Sequence, residues 1–407
     1  MVRLLVTGIL LVYSLAACRE RYGLPLEASR EGLLVVEGNI LNGDTTKIRL
    51  SRTSPISERT LIPETGANVQ IEGDDNSVYH LAEAEPGLYK SDFLTLNNAN
   101  RYRLKIQAKS NEYESEWLDV ISTAEIDSVI WERNNGVKIA VSSHGTPDDS
   151  RYYKWDYDEV WEFHADYESR AYFTYVVDEN GIRHFQNMDV TRDGITYNSY
   201  IEAYCQPYGE CINDTMYYCW KYNSSSNINI GSTAALSDNT ILAPIRSIED
   251  NGFELSYLYS ILVKQTGLSP QGYEFYRILK GNTESLGTIF DAQPSEMKTN
   301  LKCVTNPNEV VIGFIDATSV KSKRIFISIR QLRDWHYFDG YDCTDTMSTR
   351  GRTIEQAVSE AIVSGKVPLT ITINPNPPHQ IVGFTMANRY CADCRMRGVH
   401  KKPDFWP

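Results

Sequence analysis

The chain has 407 residues, 42% of them apolar and 11% aromatic, with 26 tyrosines. It carries 53 acidic against 40 basic residues, a formal net charge of −13, and no Lys/Arg-rich stripe. That balance argues against charge-driven binding to nucleic acid or to an anionic lipid surface, and the length suffices for two domains with full cores.

Met1-Val2-Arg3 gives a short basic start, Leu4 to Leu15 is a mostly apolar run, and Leu15-Ala16-Ala17-Cys18 closes it. The pattern predicts a signal peptide over residues 1–17 ending in a lipoprotein box. The mature chain is then expected to begin at a lipidated Cys18, held in the outer-membrane bilayer by its acyl chains. A run of about a dozen apolar residues is shorter than the roughly 20 a membrane span needs, whereas two or three acyl chains anchor stably. Arg19, not aspartate, follows the cysteine, which implies sorting to the outer membrane. The body is expected to be soluble and to face either the periplasm or the cell surface. Residues 18–32 read as a polar tether.

Residues 33–123 are expected to form an immunoglobulin-like β-sandwich. Leu34–Gly38, Lys47–Leu50, Ala67–Ile71, Val78–Leu81 and Tyr102–Ile106 alternate as strands do, with Asn42-Gly43-Asp44, Gly73-Asp74-Asp75 and Pro86-Gly87 as turns. Residues 124–407 are expected to form a larger β-sandwich-type domain with two short helices, so the fold class is mainly β. Val137–Ser142 reads as a strand. Tyr153, Trp155, Tyr157, Trp161 and Phe163 then share one face of a long strand, with Lys154, Asp156, Asp158 and Glu162 on the other. That aromatic face fits a sandwich core better than a ligand platform. Tyr257–Gln265 is a strand running into a helix, with Ser269 as N-cap, Pro270 at the first position and Gly281 as the stop. Val310–Phe314 and Arg324–Ile329 are further strands. A second helix starts after Thr353, which forms a capping-box pattern with Gln356, and ends at Gly365.

The remaining cysteines, Cys205, Cys211, Cys219, Cys303, Cys343, Cys391 and Cys394, are disulfide candidates in an oxidising compartment. Their number is odd, so at least one stays free or pairs between chains. Cys205 and Cys211 bracket a loop that suits a local bridge, and the spacing leaves the other pairings open. Cys391-Ala392-Asp393-Cys394, with His400 nearby, also has the look of a zinc or redox motif, with Cys343 as a further zinc ligand. Structural disulfides fit its position better, and no metal or cofactor is expected. No phosphate loop, nucleophile elbow or metalloprotease helix is present in the sequence. His164 with Asp166 is the tightest histidine–acid pair, but residues two apart on a strand share a face by default, so no catalytic residues are assigned. Asp44-Thr45-Thr46, Asp127-Ser128-Val129, Asp214-Thr215-Met216 and Asp345-Thr346-Met347 match a short bacterial O-glycosylation pattern, and Asn213-Asp214-Thr215 an N-glycosylation sequon.

Cys391-Ala392-Asp393-Cys394-Arg395, Gly398 and Lys402-Pro403-Asp404-Phe405-Trp406 form an ending that resembles the Bacteroidetes lipoprotein family catalogued as domain of unknown function 4249. Tyr153-Lys154-Trp155-Asp156-Tyr157, Cys219-Trp220, Ile230-Gly231-Ser232-Thr233, the 287–294 stretch and Asn306-Pro307 to Gly313-Phe314 agree in order. Cys205, Cys211 and Cys303 fall outside that pattern. The resemblance implies a non-enzymatic accessory protein, binding or scaffolding beside a TonB-dependent transporter in nutrient uptake, with a glycan or a peptide as candidate ligand. The alternatives are an extracytoplasmic glycan hydrolase and a structural component of envelope assembly.

Overall fold

The computed structural model describes residues 32–54, 61–179, 183–185, 188–192, 195–204, 211–284, 297–337, 343, 346–348, 351–377 and 379–407. The expected leader, Cys18 and nearly all of the tether lie outside the described residues. The fold is mainly β.

The N-terminal strands are β1 (Leu34–Leu41), β2 (Asp44–Arg52), β3 (Ile62–Pro63), β4 (Asn68–Gly73), β5 (Val78–Glu85), β6 (Leu88–Leu94), β7 (Arg101–Ala108), β8 (Asn111–Ser115) and β9 (Leu118–Ile121). All of them join one sheet, and that sheet closes. β1, β2, β6, β5, β4, β7 and β9 follow one another in the hydrogen-bonding order, and Ala317–Thr318 bridges β9 back to β1, completing a ring of eight strands. This is a correction to the immunoglobulin-like sandwich, which consists of two open sheets. Closure removes the free edges, and the inward positions fill the interior, with Leu34, Ile48, Leu50, Val69, Ile71, Leu104 and Ile106 fully buried.

The ring also departs from a boundary at residue 123. Besides Ala317–Thr318, Leu301–Cys303 pairs with β8, and Ile312–Gly313 pairs with β1 in parallel. The stretch read as a strand at 310–314 therefore belongs to the barrel-like unit. No local pattern announces Leu301–Cys303 or Ala317–Thr318, because backbone pairing with a distant partner, not their own side chains, makes them strands.

The second unit opens with β10 (Ile126–Arg133), β11 (Val137–His144) and β12 (Tyr152–His164). β10, β11 and Thr240–Ile248 form a three-stranded sheet. β12 is central to another, flanked by Tyr218–Ser224 and Leu258–Gly267, with Val320–Ser328 beyond and Asn229–Ser232 on its first half. One core fills the space between the two sheets. In it lie the five odd-numbered aromatic residues of β12: Tyr153, Trp155, Tyr157, Trp161 and Phe163. The strand's period of two makes that face core, not a ligand platform. Two of the buried polar tips find acceptors, Tyr153 Oη donating to Asn239 Oδ1 at 3.0 Å and Trp155 Nε1 to Gln265 Oε1 at 2.7 Å.

Glu159 shares this inward face and was not visible as special in the sequence. Its side chain accepts hydrogen bonds from Tyr259 Oη (2.6 Å), Asn223 Nδ2 (2.7 Å) and Arg246 Nε (3.1 Å), so a buried ion pair links the two sheets. Burial, then the charge and hydrogen bond of Glu159, raise the Tyr259 phenol well above its usual range.

The first predicted helix spans Pro270–Glu284, with Ser269 Oγ accepting from Gly272 N at 2.9 Å. It runs past Gly281, because that residue keeps helical geometry and loses no contact by lacking a side chain. The second spans Ile354–Val363 and carries the Thr353–Gln356 capping box. Its Ala357, Val358 and Ala361 pack with Phe173, Ile201, Phe384 and Met386 in a smaller core.

Candidate functional site

A wide concavity lies where the barrel-like unit, the loop before β12 and the Pro270–Glu284 helix meet. It is a groove of about 1120 Å³ with Trp117, Leu118, Leu268, Phe275, Ile278 and Phe314 as apolar lining and Asp149, Arg151, Gln271, Lys298, Asn300 and Asp316 as polar lining. A mixed lining of this kind is the usual make-up of a ligand site.

Several of the charged groups in and around it are positioned by nameable contacts. At one rim the Arg103 guanidinium lies 4.7 Å from the Trp117 ring centroid, fixed there by ion pairs to Glu72 (2.7 Å) and Glu114 (3.0 Å). Asp149 accepts from Ser122 Oγ at 2.6 Å and from Thr146 N and Oγ1, each at 2.8 Å. Burial pushes this carboxyl up, but the Ser122 and Thr146 hydrogen bonds outweigh it and hold the acid below its ordinary range. Glu274 is paired with Arg277.

Asp316 is the buried acid of the groove, 2% exposed. Its main chain is fixed to β1, its N–H donating to Asn39 Oδ1 and its carbonyl accepting from Ile40 N. Its carboxylate accepts from Ser269 N at 3.2 Å, at the start of the helix. A Cβ on Gly272 would come 2.3 Å from Asp316 Oδ2, so glycine is what lets the helix approach so closely. Burial pushes the Asp316 carboxyl up to about 6, against smaller opposing hydrogen bonds from Ser269. Asp149 and Asp316 thus each serve as acceptors for the protein's own donors.

The cysteines sit elsewhere and serve architecture. Cys219 is bonded to Cys394 and Cys343 to Cys391, with Cα–Cα separations of 5.8 and 5.7 Å. The two cysteines of the Cys-x-x-Cys motif therefore reach different, distant partners, which leaves neither thiolate for zinc and no internal redox pair. Asp393 between them is fully buried and paired with Arg389 and Arg395. Cys211 is disulfide-bonded, and Cys205 lies outside the described residues. Cys303 is a buried free thiol, corrected here from its place among the disulfide candidates: it faces the core of the barrel-like unit, beside Thr305 Oγ1.

His164 does not pair with Asp166. Its Nε2 lies 2.8 Å from Glu162 Oε1, its ring stacks on Tyr257 with centroids 3.6 Å apart, and Asp166 pairs with Arg397. His400 lines a small cleft beside the C-terminal segment. Of the glycosylation-pattern acceptors, Thr215 is exposed, Thr45 and Ser128 are half-buried in strands, and the Thr346 side chain lies outside the description. Among the described residues no cluster of three His, Cys, Asp or Glu side chains could hold a metal ion, and no helix is long and apolar enough to cross a membrane.

The 391–406 ending is likewise structural. Val399 and Trp220 exchange both backbone hydrogen bonds, at 2.8 and 2.9 Å, and Trp406 Nε1 donates to Glu162 Oε2 at 3.0 Å. Arg324 lies 3.6 Å over the Phe405 ring. A Cβ on Gly398 would meet Phe163 Cε1 and Trp220 O, both at 2.7 Å. These contacts pair the segment with the edge strand of the five-stranded sheet at Trp220 and lay Trp406 against Glu162 on that sheet's other face.

Among solved structures, the chain is similar to a DUF4785 family protein from Legionella pneumophila, at 10% identity with a TM-score of 0.18, over 56% of this chain and 51% of that one. The chain thus matches about half the length of that protein. A structure of manganese lipoxygenase from Gaeumannomyces graminis with part of zonadhesin from Komagataella pastoris matches at 10% identity and a TM-score of 0.14, over 60% of this chain and 91% of that one. No curated protein matches. The family model described as "Domain of unknown function (DUF4249)" matches residues 19–324, three quarters of the sequence, and the chain belongs to that family.

Proposed function

We propose that the protein is a non-enzymatic Bacteroidetes lipoprotein, anchored in the outer membrane through Cys18, that acts as a binding or scaffolding partner of a TonB-dependent transporter. Within this reading the second unit is the sandwich-type body and the barrel-like unit stands nearest the anchor, since the described chain enters it at Gly32. The observation that carries the binding reading is the groove of about 1120 Å³, walled by Trp117, Phe275 and Phe314. The carboxylates Asp149 and Asp316 in its lining already hold the Ser122, Thr146 and Ser269 donors. A glycan or an extended peptide is the ligand class such a mixed lining accommodates.

The test is a mild-detergent pull-down from native outer membranes. Stoichiometric recovery of a TonB-dependent transporter supports the accessory role, and recovery of the protein alone counts against it. Cys18→Ala is expected to release the protein from membranes; a variant that stays bound would remove the anchor from the proposal. The hydrolase reading has one feature in its favour: Asp316, whose acid range near 6 suits a proton donor. Glycan hydrolysis lost in Asp316→Asn would promote that reading over this one.

A further inference from the structure

The groove between the barrel-like unit and the Pro270–Glu284 helix is acidic as well as aromatic. Six carboxyls line it, against two basic side chains, Arg151 and Lys298. Three of the six, Glu116, Asp119 and Asp148, are exposed and make no ion pair among the described residues. A fourth, Asp149, is held by Ser122 and Thr146. These are neutral donors, so its charge stays in the groove. Of the other two, Glu274 is paired with Arg277, and Asp316 accepts from Ser269.

The two bases do not offset this charge. The Arg151 guanidinium donates to the carbonyls of Thr233 and Leu236, at 3.5 and 3.1 Å. Lys298 is exposed and lies in the field of Glu274. With every group ionised, the lining carries four more negative charges than positive. Charge of one sign in a concave site concentrates ligands of the other sign.

The aromatic lining adjoins these acids. Trp117 follows Glu116 directly and is 38% exposed. Its ring already carries the Arg103 guanidinium, 4.7 Å from the centroid, which is also ion-paired to Glu72 and Glu114. The protein's own arginine thus shows the arrangement that suits a cation here, an indole face with carboxylates beside it.

The lining restricts the class of ligand. An acidic glycan or an acidic peptide meets like charge. A neutral glycan can donate to the carboxylates but brings no positive charge to balance them. A metal ion lacks a site, since among the described residues no three His, Cys, Asp or Glu side chains gather to hold one. A lysine or arginine side chain brings its charge on an aliphatic stem. The stem can lie along the apolar wall while the head reaches the carboxylates. At about 1120 Å³ the groove is larger than one side chain fills.

We propose that the groove binds an extended basic peptide segment of a partner protein, its lysine or arginine heads set against Glu116, Asp119 and Asp148 and a stem against Trp117. This rests on the reading of the groove as the binding site, and it narrows the ligand class from glycan or peptide to basic peptide.

The experiment is fluorescence anisotropy on the full chain with three labelled probes. They are acetylated, amidated octapeptides in which alanine alternates with lysine, with glutamine or with glutamate. The lysine peptide is expected to bind saturably, about tenfold or more tighter than the glutamine peptide, and to weaken as salt rises. The glutamate peptide is expected not to bind. Asp119→Asn combined with Asp148→Asn, both at exposed positions, should weaken the lysine peptide about tenfold. A lysine peptide adheres weakly to any acidic surface, so the same charge change is also made away from the groove. Asp92→Asn combined with Glu132→Gln, also exposed, should alter binding by less than about twofold.

The proposal is overturned if the glutamine or glutamate peptide binds as tightly as the lysine peptide, which would leave the groove a binding site for another class. It is equally overturned if the distant pair of substitutions weakens binding as much as the groove pair, or if no peptide binds. In that last case, a transporter still recovered in the pull-down confines the failure to the peptide class. Recovery of the protein alone extends it to the binding reading beneath.

Discussion

The barrel-like unit and the C-terminal part of the chain face the same problem, holding together segments remote in sequence, and they solve it differently. The barrel-like unit takes in Leu301–Cys303, Ile312–Gly313 and Ala317–Thr318 by backbone hydrogen bonds. A partly buried cluster at one end adds side-chain ties: Arg52 is paired with Glu64 and Glu309, and Tyr113 Oη donates to Glu309 Oε1 at 2.6 Å. The cysteine of its core, Cys303, is a free thiol. The C-terminal part instead relies on one four-residue motif that sends two disulfides across 175 and 48 residues. The first unit is thus indifferent to redox conditions, and the second depends on them.

The strongest way to break this comparison is to remove the longer bridge. In the chain-entropy account, replacing Cys219 and Cys394 by Ala should cost about 5 kcal/mol. Hydrogen exchange should show protection lost in Lys366–Ile373 and Ile381–Asn388 while β1 to β7 keep theirs. Equal loss in both regions would mean that they unfold as one. Next comes the buried ion pair. Glu159→Ala removes the shared acceptor of Tyr259, Asn223 and Arg246, while Arg246 keeps Glu254 at 3.0 Å, and should lower stability by about 1–3 kcal/mol, read from the denaturant midpoint, with no change in the barrel's response to reductant.

Asp316 sharpens the comparison at the junction. Its folded acid range, near 6, lies above the ordinary 3.8, so the native state holds that proton more tightly than the unfolded one. Its contribution is fully present below about pH 4 and is lost as pH rises through 6. Asp316→Asn should therefore stabilise the protein at pH 8 by about 2–3 kcal/mol and scarcely at pH 4; melting temperatures across that range decide. The smallest effect is expected from Tyr113→Phe, which removes the hydrogen bond to Glu309 together with the longer contacts from Arg52 and Asn111 and should cost about 1 kcal/mol. A loss several times larger in thermal melts would show that the cluster acts as a unit.

Much of this architecture was legible in the sequence, and what was not has a physical reason. The alternation in β1, β2, β4, β5 and β7 and the odd-numbered aromatic residues of β12 are local signals, because a strand's two faces meet different solvents. Ser269 and Thr353 were equally legible, since helix caps are satisfied by near neighbours. The closing of the barrel was not, because it rests on two residues, Ala317 and Thr318, whose strand state comes wholly from remote partners. Glu159 interrupts the aromatic face, but nothing local names the groups it serves until Tyr259, Asn223 and Arg246 arrive from three other strands. The groove is invisible for the same reason: Trp117, Arg151, Phe275 and Asp316 meet only in the fold.

The strand that closes the ring also sets a timetable. β9 ends at Ile121, and its partner begins at Ala317. At 5–20 residues per second, a ribosome needs about 10–40 s to supply the intervening chain. For that interval β1 and β9 are seam edges with no strand between them, and open edges are the parts of a sheet most prone to pair with other chains. The nascent protein must therefore be shielded, or kept unfolded, until well past its middle.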